Sequence, residues 1–216
     1  MLETKNQLTE QEHFWKGEFG DEYISRNEGL KLLAYKTYYF SSILKNTSKI
    51  NSCIEFGSNI GLNLDALRTL YPYQEHYGVE INKKACDILQ TKLGKENTSN
   101  CSILDFHQVK KWDLVLVKGV LIHLNPESLN DVYEKIYNCS NKYILISEYY
   151  NPTPVSINYR GHKNKLFKRD FAGEMLDTFD DLELHSYGFG YHRDLNFPQD
   201  DENWFLLEKK NDDKLL

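Results

Sequence analysis

From residue 53 the chain reads Cys53-Ile54-Glu55-Phe56-Gly57-Ser58-Asn59-Ile60-Gly61, and then places leucines at 64, 67 and 70. A short apolar run that breaks on glycines and resumes with apolar residues three apart is a buried strand turning tightly into a helix. A buried strand of this kind needs parallel neighbours, and parallel neighbours need helical crossovers. The rest of the sequence supplies both. Strands are predicted over residues 52–56, 77–81, 113–118 and 143–148, with a weaker one over 101–104. Helices are predicted over 63–71, stopped by Pro72, over 83–93, ended by Gly94, and over 126–138, with Pro126 in the first turn. A helix over 170–178 and strands over 185–191 and 204–209 close the pattern, the last two as an antiparallel pair. The expected class is α/β: a mostly parallel seven-stranded sheet with an antiparallel edge strand and helices on both faces.

Ahead of this alternation lie a loose arm (1–12), an aromatic-rich segment (13–26) and a helix (28–46). We therefore divide the 216 residues into N-terminal arm and lid helices (1–46) and one ligand-binding domain (47–216). Within it, the proline-containing stretch 149–169 is expected to be a loop over the site, since long irregular loops in compact domains usually serve one. The net charge of −6, with no Lys/Arg run longer than two, argues against nucleic acid as partner. Cys53, Cys86, Cys101 and Cys139 form no C-x-x-C pair, so no metal site is expected from them, and they read as reduced thiols of a cytoplasmic protein. No apolar stretch approaches the length of a membrane span. A monomer or homodimer is expected.

Ligands of open α/β sheets bind beyond the carboxyl ends of the strands, and the chemistry-bearing residues cluster there. Gly57 and Gly61, with Ser58 and Asn59 between them, let backbone N–H groups approach a ligand. Their spacing, Glu55-x-Gly57-x-x-x-Gly61, differs from the G-x-G-x-x-G of dinucleotide sites. Glu80 ends the next strand, where a carboxylate accepts ribose hydroxyls, and Ile81 follows to pack on a base. Asp105 and Phe106 follow the third strand. Lys118 leaves the central strand, and His123 comes just after it as a candidate proton acceptor. Glu148, Tyr149, Tyr150, Asn151, Tyr159, Arg160, His162 and Arg169 fall on the substrate side, where arginine suits carboxylate or phosphate and Tyr and Asn suit sugar hydroxyls.

The acid-and-glycine spacing resembles that of class I S-adenosylmethionine-dependent methyltransferases, which are Rossmann-like. Several segments resemble the pseudaminic acid biosynthesis-associated methylases more closely. These are Phe14-Trp15-x-Gly17-x-Phe19-Gly20 running on to Tyr23, Arg26 and Asn27, the stretches 118–126, 146–154, 159–162 and 166–174, and Tyr187-Gly-Phe-Gly-Tyr-His-Arg193. The resemblance implies S-adenosylmethionine as cofactor, with Glu55 facing its methionine ammonium, Asp105 and Phe106 at the adenine, and Tyr23 and Arg26 on a lid, Arg26 toward the methionine carboxylate. It implies a sugar or nucleotide-sugar acceptor of the nonulosonic acid type, methylated at N or O, with Tyr149 and Tyr150 beside His123 at the transfer point. The alternatives are another nucleotide sugar or metabolite as acceptor, or a catalytically silent partner that keeps the cofactor site.

Overall fold

The computed structural model describes residues 8–26, 28–107 and 110–210. Asn27 and the first seven residues of the arm lie outside them. Seven strands form one sheet: β1 (Ser52–Phe56), β2 (Glu75–Val79), β3 (Thr98–Ser99), β4 (Trp112–Lys118), β5 (Ser140–Glu148), β8 (Leu182–Gly190) and β9 (Glu202–Lys209). Their order is β3-β2-β1-β4-β5-β9-β8, with β9 antiparallel to β5 and β8 antiparallel to β9 and the rest parallel. The expected class and its antiparallel edge are as read from the sequence.

Helices cover both faces. On one face α3 (Leu30–Leu44) packs with α4 (Leu62–Leu70) and α5 (Lys83–Leu93); Phe40, Ile43, Leu44, Leu64, Leu67 and Leu89 join Leu114, Leu116 and Leu145 of the central strands. On the other, α6 (Leu129–Cys139) and α7 (Phe171–Thr178) bury Val132, Ile136 and Met175 against Ile54, Val115 and Ile144. The alternate residues of β1 and β4 therefore feed opposite cores, which is why their apolar residues run side by side, as in Cys53-Ile54 and Leu114 to Val117, instead of alternating with polar ones.

The structure differs from the sequence expectations in four places. Residues 101–104 form no strand; the third strand is the two-residue β3, and the chain turns after it. Strand β2 begins and ends two residues earlier than expected, which leaves Glu80 and Ile81 just past its carboxyl end. The arm becomes helical at α1 (Glu10–Lys16), because Thr9 and Glu12 form a capping box, and α2 (Glu18–Tyr23) follows directly. The stretch 149–169 is a hairpin of β6 (Val155–Tyr159) and β7 (His162–Lys168), turned by Arg160 (φ 50°) and Gly161 (φ 88°).

Candidate active site

The carboxyl ends of β1, β2, β4 and β5 open into one cavity of about 310 Å³, a size that suits a small-molecule site. Its floor is the turn after β1. Gly57 has φ 72°, and a side chain there would run into Val120. Gly61 has φ 83°, and a Cβ there would lie 2.6 Å from Leu89 Cδ1. The turn is held to β2 by Gly57 N and Ser58 N, which both donate to Val79 O at 2.8 and 3.1 Å. Glu80 completes this wall. Its Oε2 accepts from Asn59 N and its Oε1 from Asn82 N, each at 2.7 Å. Burial pushes its carboxyl up, and those backbone donors oppose the push.

Glu55 lies beneath the floor, fully buried, with Asn63 Nδ2 donating to its Oε1 at 2.6 Å. Burial carries its carboxyl up to about 8. Above it, Lys36 of α3 reaches into the cavity and faces Glu55, Lys118, Glu202 and Asp200; burial lowers its ammonium to about 8. Lys118 forms a buried ion pair with Glu202 at the start of β9, and Tyr39 Oη and Ser147 Oγ share a hydrogen bond of 2.9 Å nearby. This cluster sits where β4, β5 and β9 meet.

Beyond it lie the groups suited to proton transfer. Glu148 Oε1 accepts from Val120 N and Leu121 N, both at 2.9 Å, and burial pushes the carboxyl up to about 8. His123 Nδ1 lies 2.6 Å from Lys165 O. A carbonyl only accepts, so Nδ1 carries the proton and the Nε2 lone pair is the basic position. Burial lowers this imidazole to about 4, so it is neutral at pH 7. The ring packs against Trp15 (4.6 Å between centroids) and Tyr159 (4.8 Å). Trp15 belongs to α1 and Tyr159 to the hairpin; together they cover the site, tied to each other by Gln11 Nε2 donating to Asn164 O at 3.1 Å and by the Lys165–Glu10 ion pair.

Polar atoms around the cavity remain buried and unpaired among the described residues: Asn59 Oδ1, Asn63 Oδ1, Glu148 Oε2 and Trp15 Nε1 around it, and Glu55 Oε2 below. Unpaired buried groups of this kind are costly in a finished interior and are what a polar ligand satisfies. Together with the glycine turn and Glu80, they fit a nucleoside carrying a polar chain.

The structure brings together Tyr23, Gly57, Ser58, Asn59, Glu80, Ile81, Lys118, His123, Glu148, Tyr149, Tyr159 and Arg160 on the cavity wall. Gly61 and Glu55 support that wall from behind. Other predicted residues stand elsewhere. Asp105 is exposed outside the cavity, and Phe106 is buried in the core against Phe56 and Tyr77, because the chain turns after β3 instead of continuing as a strand. Arg26 is exposed, its guanidinium over Phe19 and Tyr23. Tyr150 is exposed beside Phe205, Asn151 bonds Thr153, Arg169 pairs with Glu174, and His162 packs on Phe14 at the surface. The sequence reading did not single out Gln11, Glu12, Lys36, Asn63, Ser102, Asp200 or Glu202, all of which line the cavity.

No family profile matches the chain, and no curated protein matches it in sequence. Solved structures do match. One is magnesium protoporphyrin IX methyltransferase (ChlM) from Synechocystis PCC 6803 with bound SAM, 13% identical over 96% of this chain and 100% of that one, with a TM-score of 0.62. Another is Burkholderia thailandensis 1,6-didemethyltoxoflavin-N1-methyltransferase with bound 1,6-didemethyltoxoflavin and S-adenosylhomocysteine, 11% identical over 89% and 84%, TM-score 0.66. A third is Streptomyces venezuelae DesVI, 10% identical over 90% and 99%, TM-score 0.63. At such identities the likeness is one of fold: the chain has the Rossmann-like fold of class I S-adenosylmethionine-dependent methyltransferases.

Proposed function

We propose that this protein is an S-adenosylmethionine-dependent N- or O-methyltransferase. Its acceptor is proposed to be a small molecule of the nonulosonic acid type or a nucleotide-linked precursor of one. The observation that carries the cofactor reading is the cradle itself: the Gly57–Gly61 turn, whose backbone a side chain at 57 would obstruct, bonded through Asn59 N to a buried Glu80. The matched structures crystallised with SAM or S-adenosylhomocysteine support it. The sugar class rests on the sequence resemblance. Among the described residues no helix is long and apolar enough to cross a membrane; a cytoplasmic enzyme working on a small molecule is the setting proposed.

In this reading Glu80 takes the ribose hydroxyls and Lys36 the methionine carboxylate, the role the sequence resemblance gave to Arg26. Bound S-adenosylmethionine supplies an electrophilic methyl on a sulfonium. The protein's part is to position the acceptor and receive its proton. The Nε2 lone pair of His123 is the group that receives it, and Glu148, whose carboxyl burial raises to about 8, keeps its own proton at pH 7 and offers the unpaired Oε2 for a hydrogen bond to the acceptor. Trp15, Tyr149 and Tyr159 exclude water and offer flat faces to a sugar ring, and Arg160 at the hairpin tip meets an anionic group.

Calorimetry tests the core claim: S-adenosylhomocysteine is expected to bind at micromolar concentration, and Gly57→Arg to abolish binding. Absence of binding by the unaltered protein refutes it. Mass spectrometry of CMP- and UDP-linked sugars incubated with S-adenosylmethionine tests the acceptor class through the gain of one methyl mass.

A further inference from the structure

The nucleoside half of the cavity runs from the β1 turn over Glu80 to the loop after β3. Val79 pairs with Ser99 across β2 and β3, and Ile81, Ser102 and Ile103 line the cavity together with Glu80, where the base of a nucleoside held by Glu80 would lie. No acid of that loop reaches it, since Asp105 is on the outer surface. An acid does reach it from above. Glu12 of α1 is only 6% exposed, and its carboxylate spans two places. Oε2 closes the capping box by accepting from Thr9 N at 2.7 Å and Thr9 Oγ1 at 2.9 Å. Oε1 turns inward and accepts from Ser102 Oγ, ninety residues away in sequence.

A capping-box glutamate normally serves its own helix end. Here the carboxylate is buried, lines the cavity, and has no ion-pair partner among the described residues. A carboxylate oxygen accepts more than one hydrogen bond. Ser102 occupies one position on Oε1 and leaves another for an N–H donor on the cavity side. The edge of an adenine base presents such a donor in its exocyclic amine. Hypoxanthine presents a carbonyl there, which the carboxylate repels.

We infer that Glu12, delivered by the N-terminal helix, reads the exocyclic amine of the cofactor's adenine, a role the fold would otherwise leave to the loop after β3. This rests on the cofactor reading above. One consequence is that base recognition and docking of α1 onto the site are the same contact.

The test is a comparison of ligands by calorimetry, S-adenosylhomocysteine against S-inosylhomocysteine, on the full chain. The unaltered protein is expected to prefer the adenosyl ligand about tenfold or more, the usual penalty for facing a buried polar group with the wrong partner. Glu12→Gln keeps the capping box, since Gln serves at that position, and is expected to bring the two affinities within about threefold. Asp105→Asn is expected to keep the full preference. Thr9→Ala, which loosens the helix end but leaves the carboxylate, is expected to weaken both ligands together and preserve their ratio. Undiminished preference in Glu12→Gln, or its loss in Asp105→Asn, overturns the inference while leaving the cofactor reading intact. Failure of the unaltered protein to bind either ligand overturns both.

Discussion

Glu148 gives the most direct access to the energetics of the site. Replacing it by Gln preserves its shape and the acceptance from Val120 N and Leu121 N through Oε1, and puts an amide where Oε2 has no partner among the described residues. The carboxyl is raised from 4.5 to about 8, chiefly by burial. In the folded protein it therefore holds its proton up to about pH 8, whereas in the unfolded chain it loses it near 4.5. Between those values the native state binds more protons, so stability falls as pH rises across that window. Each tenfold step is about 1.4 kcal/mol, about 4–5 kcal/mol in all, and relaxation of the cavity wall reduces the expectation to about 2–4 kcal/mol at pH 8. Glu148→Gln carries no such penalty. Urea unfolding is expected to show the variant within about 1 kcal/mol of the unaltered protein at pH 5 and about 2–4 kcal/mol more stable at pH 8. Equal differences at the two pH values, or a variant less stable at pH 8, would show that Glu148 is not a strained carboxyl and that burial does not keep it protonated at neutral pH.

Three further expectations follow from the same geometry. Glu202→Gln strands the buried Lys118 ammonium and should cost about 3–5 kcal/mol, read as a fall of about 6–20 °C in Tm, while Lys118→Met with Glu202→Leu should recover most of it. Gly57→Ala forces a positive φ on a residue whose side chain meets Val120; it should lower S-adenosylhomocysteine affinity at least tenfold by calorimetry, and unchanged affinity would disprove the close approach. His123→Ala should lower turnover of whichever acceptor the sugar panel identifies by about 10²-fold or more while changing S-adenosylhomocysteine affinity little; equal losses in both would make the ring a packing element.

The central sheet was legible because its strands are buried on both sides and so read as unbroken apolar runs, as in Leu114 to Val117. The turn residues of β1 were legible for the complementary reason: only glycine takes the positive φ at 57 and 61 without strain. The region after β3 misled because Ser102 and Ile103 are buried, as a strand's would be, yet both line the cavity from a turn, Ile103 also reaching the core. The family resemblance then pointed at Asp105, a residue the turn carries outward. The hairpin was hidden by Pro152 and Pro154 and by an Arg-Gly turn in place of Asn-Gly; the positive φ of Asn164 marks an irregularity in β7 that further blurs its alternation. Lys36 and Glu12 were missed because charged residues on amphipathic helices ordinarily face solvent. For Glu12 a signal existed, the Thr9-x-x-Glu12 spacing, but it announces a helix start and says nothing of the carboxylate's second oxygen.

The carbonyl that fixes the proton on His123 Nδ1 belongs to Lys165, in the strand whose hairpin roofs the site, and the same residue's ammonium clasps Glu10 of the opposite cover. One residue thus both ties the two covers together and selects the basic nitrogen. Without that carbonyl and the covering rings the imidazole would be a hydrated ring exchanging between two tautomers. With them in place, the ring is dry, neutral and single-valued. The nitrogen chemical shifts of that one histidine are a built-in gauge of whether the enclosure is shut.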